Sequence, residues 1–83
     1  MSFVIPTLSQ LGPTLRGFRR QRNLTQTEVG RLSGLQQKTV SILETHPERC
    51  TLVSLFKYLS AVEASLSLAP IAPLRHPPSG DDW

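Results

Sequence analysis

Eighty-three residues carrying one cysteine and a net charge of +3 permit one small domain and exclude an intrachain disulfide framework. No apolar run approaches the ~20 residues that span a bilayer, and the opening M-S-F-V-I-P lacks the parts of a secretory leader, so a cytosolic protein is expected. The charge is uneven: residues 1–60 hold eight Lys or Arg against three Glu, whereas residues 61–83 hold Arg75 against Glu63, Asp81 and Asp82. A basic body suits a polyanionic partner, and a chain this short gains from burying surface against a second copy.

Leu8, Leu11, Leu15 and Phe18 recur at helical spacing and predict a first helix over residues 8–22, capped by Thr7. Pro13 conflicts with a continuous helix, so a kink or a fresh start near Gly12 is expected. Asn23 follows, a residue that tolerates the left-handed region. Leu24-Thr25-x-x-Glu28-Val29 is a complete helix start: Thr25 and Glu28 can cap one another's N–H, with Leu24 and Val29 as a hydrophobic staple. Gly34 sits past the helix end, where a left-handed residue is needed. Val29, Leu35, Val40 and Leu43 then fall on inward faces, and Gly30 is small where a second helix must pass closely. Gln26, Gln36, Gln37, Lys38 and Ser41 are left outward. Amides suit adenine edges and an ammonium suits guanine.

A further helix is predicted over residues 52–62, with Thr51 as cap and Leu52, Leu55, Phe56, Leu59 and Val62 as its apolar face; Lys57 and Tyr58 point elsewhere. Residues 64–68 alternate with period two, which signals a strand. One strand needs an edge, and the economical source is the same segment of a second copy, antiparallel across a twofold axis. The alternative is a plain extended exit from the fourth helix. Four prolines after Leu68 then predict a semi-rigid tail of the polyproline sort, ending in Trp83 after two aspartates. A terminal aromatic residue suits a binding anchor or is an accident of the terminus.

His46, Glu48 and Cys50 lie close in sequence, but four ligands at zinc spacing are absent, and structural or solvent roles are expected for them. Neither a Gly-rich phosphate loop nor a nucleophile constellation is present. No metal, cofactor, catalytic residue or enzymatic activity is expected.

The run from Gln26 to Glu44 resembles the helix-turn-helix of the phage-repressor (XRE/Cro) family, whose second helix enters the major groove. Ser33 departs from that pattern, where a large apolar residue is usual; either the helix rotates or Ser33 finds a backbone partner. A narrower resemblance covers residues 9–68 without gaps. Thr25-Gln26-x-Glu28, Thr39-Val40-Ser41, Glu44, Pro47, Thr51-Leu52, Phe56-Lys57 and the acidic-plus-Trp ending are similar to the HipB-type antitoxins. That resemblance implies an all-α, lambda-repressor-like helix-turn-helix domain of four main helices, with a C-terminal β-strand pairing across a homodimer and a flexible tail. The divisions are 1–62 for DNA binding, 63–72 for dimerisation and 73–83 for the tail.

The same resemblance implies operator DNA and a HipA-like serine/threonine kinase toxin, single-chain or split, as partners. Gln36, Gln37, Lys38, Ser41 and Ile42 would read bases, Ile42 against a thymine methyl unless partly buried. Gln26, Thr25, Thr39 and Arg20 would meet phosphates, Gln26 also bracing Gln37. Arg19 and Glu44 would form a structural ion pair. Ser65, Leu66, Ser67 and Leu68 would pair across the dimer, and Trp83 would dock in the toxin. The alternatives are a plain phage- or operon-type repressor without a toxin partner, and a protein-only adaptor.

Overall fold

The computed structural model describes residues 3–70. It contains four α-helices: α1 Leu11–Gln21, α2 Gln26–Ser33, α3 Gln37–Thr45 and α4 Leu52–Ala61, with 3-10 turns at Leu8–Gln10 and Pro47–Arg49. α1 packs across α3, and α2 packs against both α3 and α4.

The single helix expected over residues 8–22 is a 3-10 turn followed by an α-helix that starts afresh at Leu11. Pro13 is the third residue of α1, where its missing N–H would have had no intrahelical partner. Thr7 supplies no side-chain cap: its hydroxyl meets Ser9 and Gln10 side chains, and only its carbonyl accepts the Gln10 N–H at 3.2 Å. α1 closes in a Schellman turn around Asn23 (φ 57°), with Leu24 N–H donating to the Arg19 carbonyl at 3.2 Å. α4 closes in the same way around Glu63 (φ 58°), a residue that pays for a left-handed conformation with no glycine's freedom.

α2 begins with the reciprocal capping box: Glu28 N–H donates to Thr25 Oγ1 at 3.1 Å, and Thr25 N–H to Glu28 Oε1 at 2.8 Å. It ends on Gly34 at φ 78°. Ser33 finds backbone partners: its hydroxyl donates to the Gly30 carbonyl and accepts from Leu35 N–H at 3.2 Å, stitching the turn into α3. Leu32 is left exposed. Gly30 is small for a nearer reason than a passing helix, because a Cβ there would come within 2.8 Å of the Leu35 carbonyl of that turn.

The core is Leu15, Val29, Val40, Leu43, Leu55, Tyr58, Leu59 and Val62. α4 is therefore rotated from the face expected. Tyr58 is fully buried, whereas Leu52 and Phe56 are 71% and 52% exposed. Positions 55, 58, 59 and 62 satisfy the helical period as well as 52, 55, 56 and 59 do, and the buried Tyr58 hydroxyl has a partner to meet. Among the described residues there is no strand: residues 64–70 take no regular structure, because one chain offers residues 64–68 no second edge. Trp83 and the tail from residue 71 onward lie outside the described residues.

Candidate nucleic-acid interface

Gln36 is the N-cap of α3 and is extended (φ −69°, ψ 148°); its carbonyl accepts the Thr39 and Val40 N–H groups, while its side chain caps nothing. Gln37 and Lys38 are the first two helical residues, and all three side chains are exposed. Ser41 lies one turn on from Gln37 on the same side of α3 and is half-buried. Ile42 is also half-buried, between that outer side and the core. Val40, Leu43 and Glu44 take the opposite side and are buried. The result is a short polar ridge of two amides, an ammonium and a hydroxyl on a helix whose back is fixed in the core.

The fixing is electrostatic as well as apolar. Glu44 is 1% exposed, yet it is a carboxylate. Arg19 grips it with two prongs, Nε to Oε2 at 2.6 Å and Nη2 to Oε1 at 3.0 Å, while Nη1 donates to the Leu24 carbonyl at 2.9 Å. The Tyr58 hydroxyl lies 2.5 Å from Oε2 and 3.0 Å from the Leu15 carbonyl. A hydroxyl has one proton to give, and the nearer, charged acceptor takes it. Gln26 Nε2 donates to Oε1 at 3.3 Å, and Arg16 Nε stands 3.5 Å from the same oxygen. Burial pushes the Glu44 carboxyl up, but hydrogen bonds from Arg19, Tyr58 and Gln26 outweigh it and hold the group below the usual carboxylate range. The hydrogen bond to Glu44 raises Arg19, with burial working against it. Burial first, then the hydrogen bond to Glu44, pushes the Tyr58 phenol far up.

The carboxylate thus ties α1, α2 and α4 to the C-terminal half of α3. Gly12 completes the arrangement. A Cβ there would collide with the Glu44 carbonyl oxygen, so α1 passes directly over the backbone of the residue whose side chain Arg19 holds.

Gln26 is not hydrogen-bonded to Gln37 in this structure. Its amide is turned to Glu44, and no hydrogen bond joins the two glutamines among the described residues. The Thr25 hydroxyl is occupied by the cap; Thr39 is half-buried, and Arg20 is exposed on α1. Sequence reasoning points Tyr58 away from the core, reads Gly12 only as a break before Pro13 and offers Arg16 as a phosphate contact; it does not place any of the three around Glu44. Arg16 precedes Arg19 by three residues and so shares its side of α1, the one signal that could have found it. On the far side, His46 and Glu48 are exposed with Nδ1 and Oε2 3.6 Å apart. Cys50 is half-buried, and burial pushes its thiol up. Among the described residues no three His, Cys, Asp or Glu side chains converge as a metal site. None of the described helices is long and apolar enough to cross a membrane.

No family model matches the chain. Antitoxin HipB of one Escherichia coli strain is 35% identical over 60 residues, which span 72% of this chain and 68% of that protein. Antitoxin HipB of Escherichia coli O6:H1 is 33% identical over 60 residues, spanning 72% of this chain and 64% of its own length. Among solved structures, a HipB–O1–O2 complex superposes with a TM-score of 0.77 at 32% identity, covering 83% of this chain and 100% of that one. A HipA–HipB–O2–O3 complex gives 0.80 at 31% identity, covering 86% and 100%. Sequence identity over most of both chains, with the same backbone course, means that this chain belongs to the HipB antitoxin family.

Proposed function

We propose that the chain is the antitoxin and transcriptional autorepressor of a toxin–antitoxin operon. A homodimer binds palindromic operator DNA, and it also binds a HipA-like serine/threonine kinase toxin, single-chain or split. The observation that carries the DNA half is the ridge of exposed Gln36, Gln37 and Lys38, continued by half-buried Ser41, on an α3 anchored by buried Glu44. Ile42, half-buried beside the ridge, meets a thymine methyl. Gln26 with Thr25, Thr39 and Arg20 meet the phosphates, and Gln26 reaches one by exchanging its weak 3.3 Å contact with Glu44. Residues 65–68 pair across the twofold axis, and Trp83 anchors the toxin. The protein works in the bacterial cytoplasm at the nucleoid and needs no cofactor. The toxin half draws on the HipA–HipB–O2–O3 complex among the similar structures.

The test titrates a fluorescent duplex from upstream of the protein's own gene against a scrambled duplex. A dimer that neutralises six to ten phosphates loses roughly 10³–10⁵ in affinity between 50 and 200 mM salt. A flat salt response, or equal binding to the scrambled duplex, sinks the DNA half. Copurification of a kinase-like partner, lost on deleting residues 73–83, tests the toxin half and the tail's part in it.

A further inference from the structure

A groove of about 920 Å³ is lined by residues of α1, α4 and the segments flanking them, and by none of the described residues of α2 or α3. Its floor is apolar: Leu11, Leu15 and Phe18 of α1, and Leu55 and Leu59 of α4. Its two lips are chain segments outside the α-helices. One is residues 3–8, which fold back along α1 so that Phe3 meets Phe18 edge-on, with centroids 5.4 Å apart and planes at 85°. The other is residues 64–68. Beyond the groove the lips draw near each other, and a slot of about 390 Å³ separates residues 3–6 from residues 67–69.

Neither lip is a finished structure. Val4 is 89% exposed and Leu68 94%. Among the described residues, the backbone groups of residues 3–6 and 65–70 make no backbone hydrogen bond. Two adjacent irregular segments with unused N–H and C=O groups and wet aliphatic side chains leave room for a further apolar segment to pair with them. Charge narrows what that segment is. Among the described residues, the only ionised side chains lining the groove are Arg22 and Glu63, which pair with each other at 3.3 Å, and none lines the slot. An uncharged occupant fits. Residues 64–68 of a second copy carry no charge and alternate serine with leucine, whereas the chain's own ending carries Asp81 and Asp82.

We propose that residues 3–6 are part of the dimer interface: the 64–68 segment of the partner copy lies in the slot between them and residues 67–69, and each copy's N-terminal segment forms the outer wall. This rests on the dimer of the preceding section and adds a second segment to it. A twofold axis lets each copy give and receive the same segment.

Val4→Glu and Leu68→Glu, made singly in the full chain, test it by sedimentation over a concentration series. Both side chains already meet water in the single chain, so neither variant disturbs its fold, and circular dichroism should be unchanged. Each should weaken self-association by on the order of tenfold or more, because an unpaired carboxylate enters an apolar contact. Deleting residues 2–6 should do the same. If Leu68→Glu dissociates the dimer while Val4→Glu and the deletion do not, the N-terminal wall is wrong and the dimer stands. If the unaltered chain is monomeric throughout, the dimer itself is wrong. If removing residues 71–83 strengthens self-association, the tail competes for the slot, and the partner segment is not its resident.

Discussion

The Tyr58 hydroxyl rests 2.5 Å from Glu44 Oε2 and joins α4 to α3 across 14 residues of sequence. The contact lets a carboxylate stay charged in the core, and it makes stability depend on pH at both ends of the scale. Glu44 is held below its ordinary value of 4.5, so its contribution is complete above that pH and is lost as pH falls through the lower folded value. Tyr58 is pushed above its ordinary value of 10, so its contribution is complete below pH 10 and is lost as pH rises toward the folded value. Unfolding free energy should be flat between about pH 5 and 9 and fall outside that window. Tyr58→Phe should cost about 1.5–3 kcal/mol and abolish this residue's alkaline limb. Tyr58 is the only tyrosine, so phenolate absorbance reads it directly, and titration near pH 10 with the fold intact would refute the burial argument.

Glu44→Ala should be harsher. It leaves Arg19 without its carboxylate in a partly buried site, at a cost of about 3–5 kcal/mol. Chemical denaturation measures it, and a loss below about 1 kcal/mol would mean that the pair is solvated in solution.

Gly12→Ala adds one methyl group, ordinarily favourable in a helix by about 1 kcal/mol. Here it strikes the Glu44 carbonyl, and α1 must lift off α3. The expected net loss is about 1–3 kcal/mol in thermal or urea unfolding. A stabilised variant would show that the crossing is looser than described.

The two left-handed helix ends should respond in opposite directions. Gly34→Ala forces a Cβ into φ 78° and should destabilise by about 1 kcal/mol. Glu63→Gly relieves the same strain at φ 58° and forfeits only a solvent-exposed contact with Arg22, so its effect should be a gain of up to about 1 kcal/mol. Melting curves of the pair decide it by sign.

Gln37→Ala with Lys38→Ala should leave the melting temperature unchanged, because both side chains are exposed, while weakening DNA binding by about 1–3 kcal/mol per base contact. Arg20→Ala should instead weaken binding to every duplex alike and lower the salt slope by about one. Anisotropy titrations on matched and scrambled duplexes separate the two, and unchanged affinity in the double variant would favour an adaptor that does not read DNA.

How far the sequence could be read depended on the range of each interaction. The α2–α3 unit was legible because Thr25, Glu28 and Gly34 act on their own neighbours, so that their residue types and spacing carry the information. The Arg19–Glu44 contact links residues 25 apart and entered through resemblance, not through any local pattern. The phase of α4 is not legible locally because two apolar faces fit one period, and the face that is buried carries Tyr58, whose hydroxyl partner is on another helix. Residues 64–68 alternate as a strand does, but the edge such a strand needs is absent from a single chain. Pro13 was resolved by the 3-10 turn before it, which lets the proline fall inside the first turn of α1.

The four-way grip on Glu44 also bears on attempts to move the recognition unit elsewhere. Residues 25–45 look like a cassette that could be grafted into a foreign scaffold to change what it reads. Excised, the cassette keeps Gln26 but leaves behind Arg16, Arg19 and Tyr58, three of the donors around the carboxylate. A transplant would carry a stranded anion into its new host unless Glu44 were recoded to a neutral residue or both outer helices travelled with it.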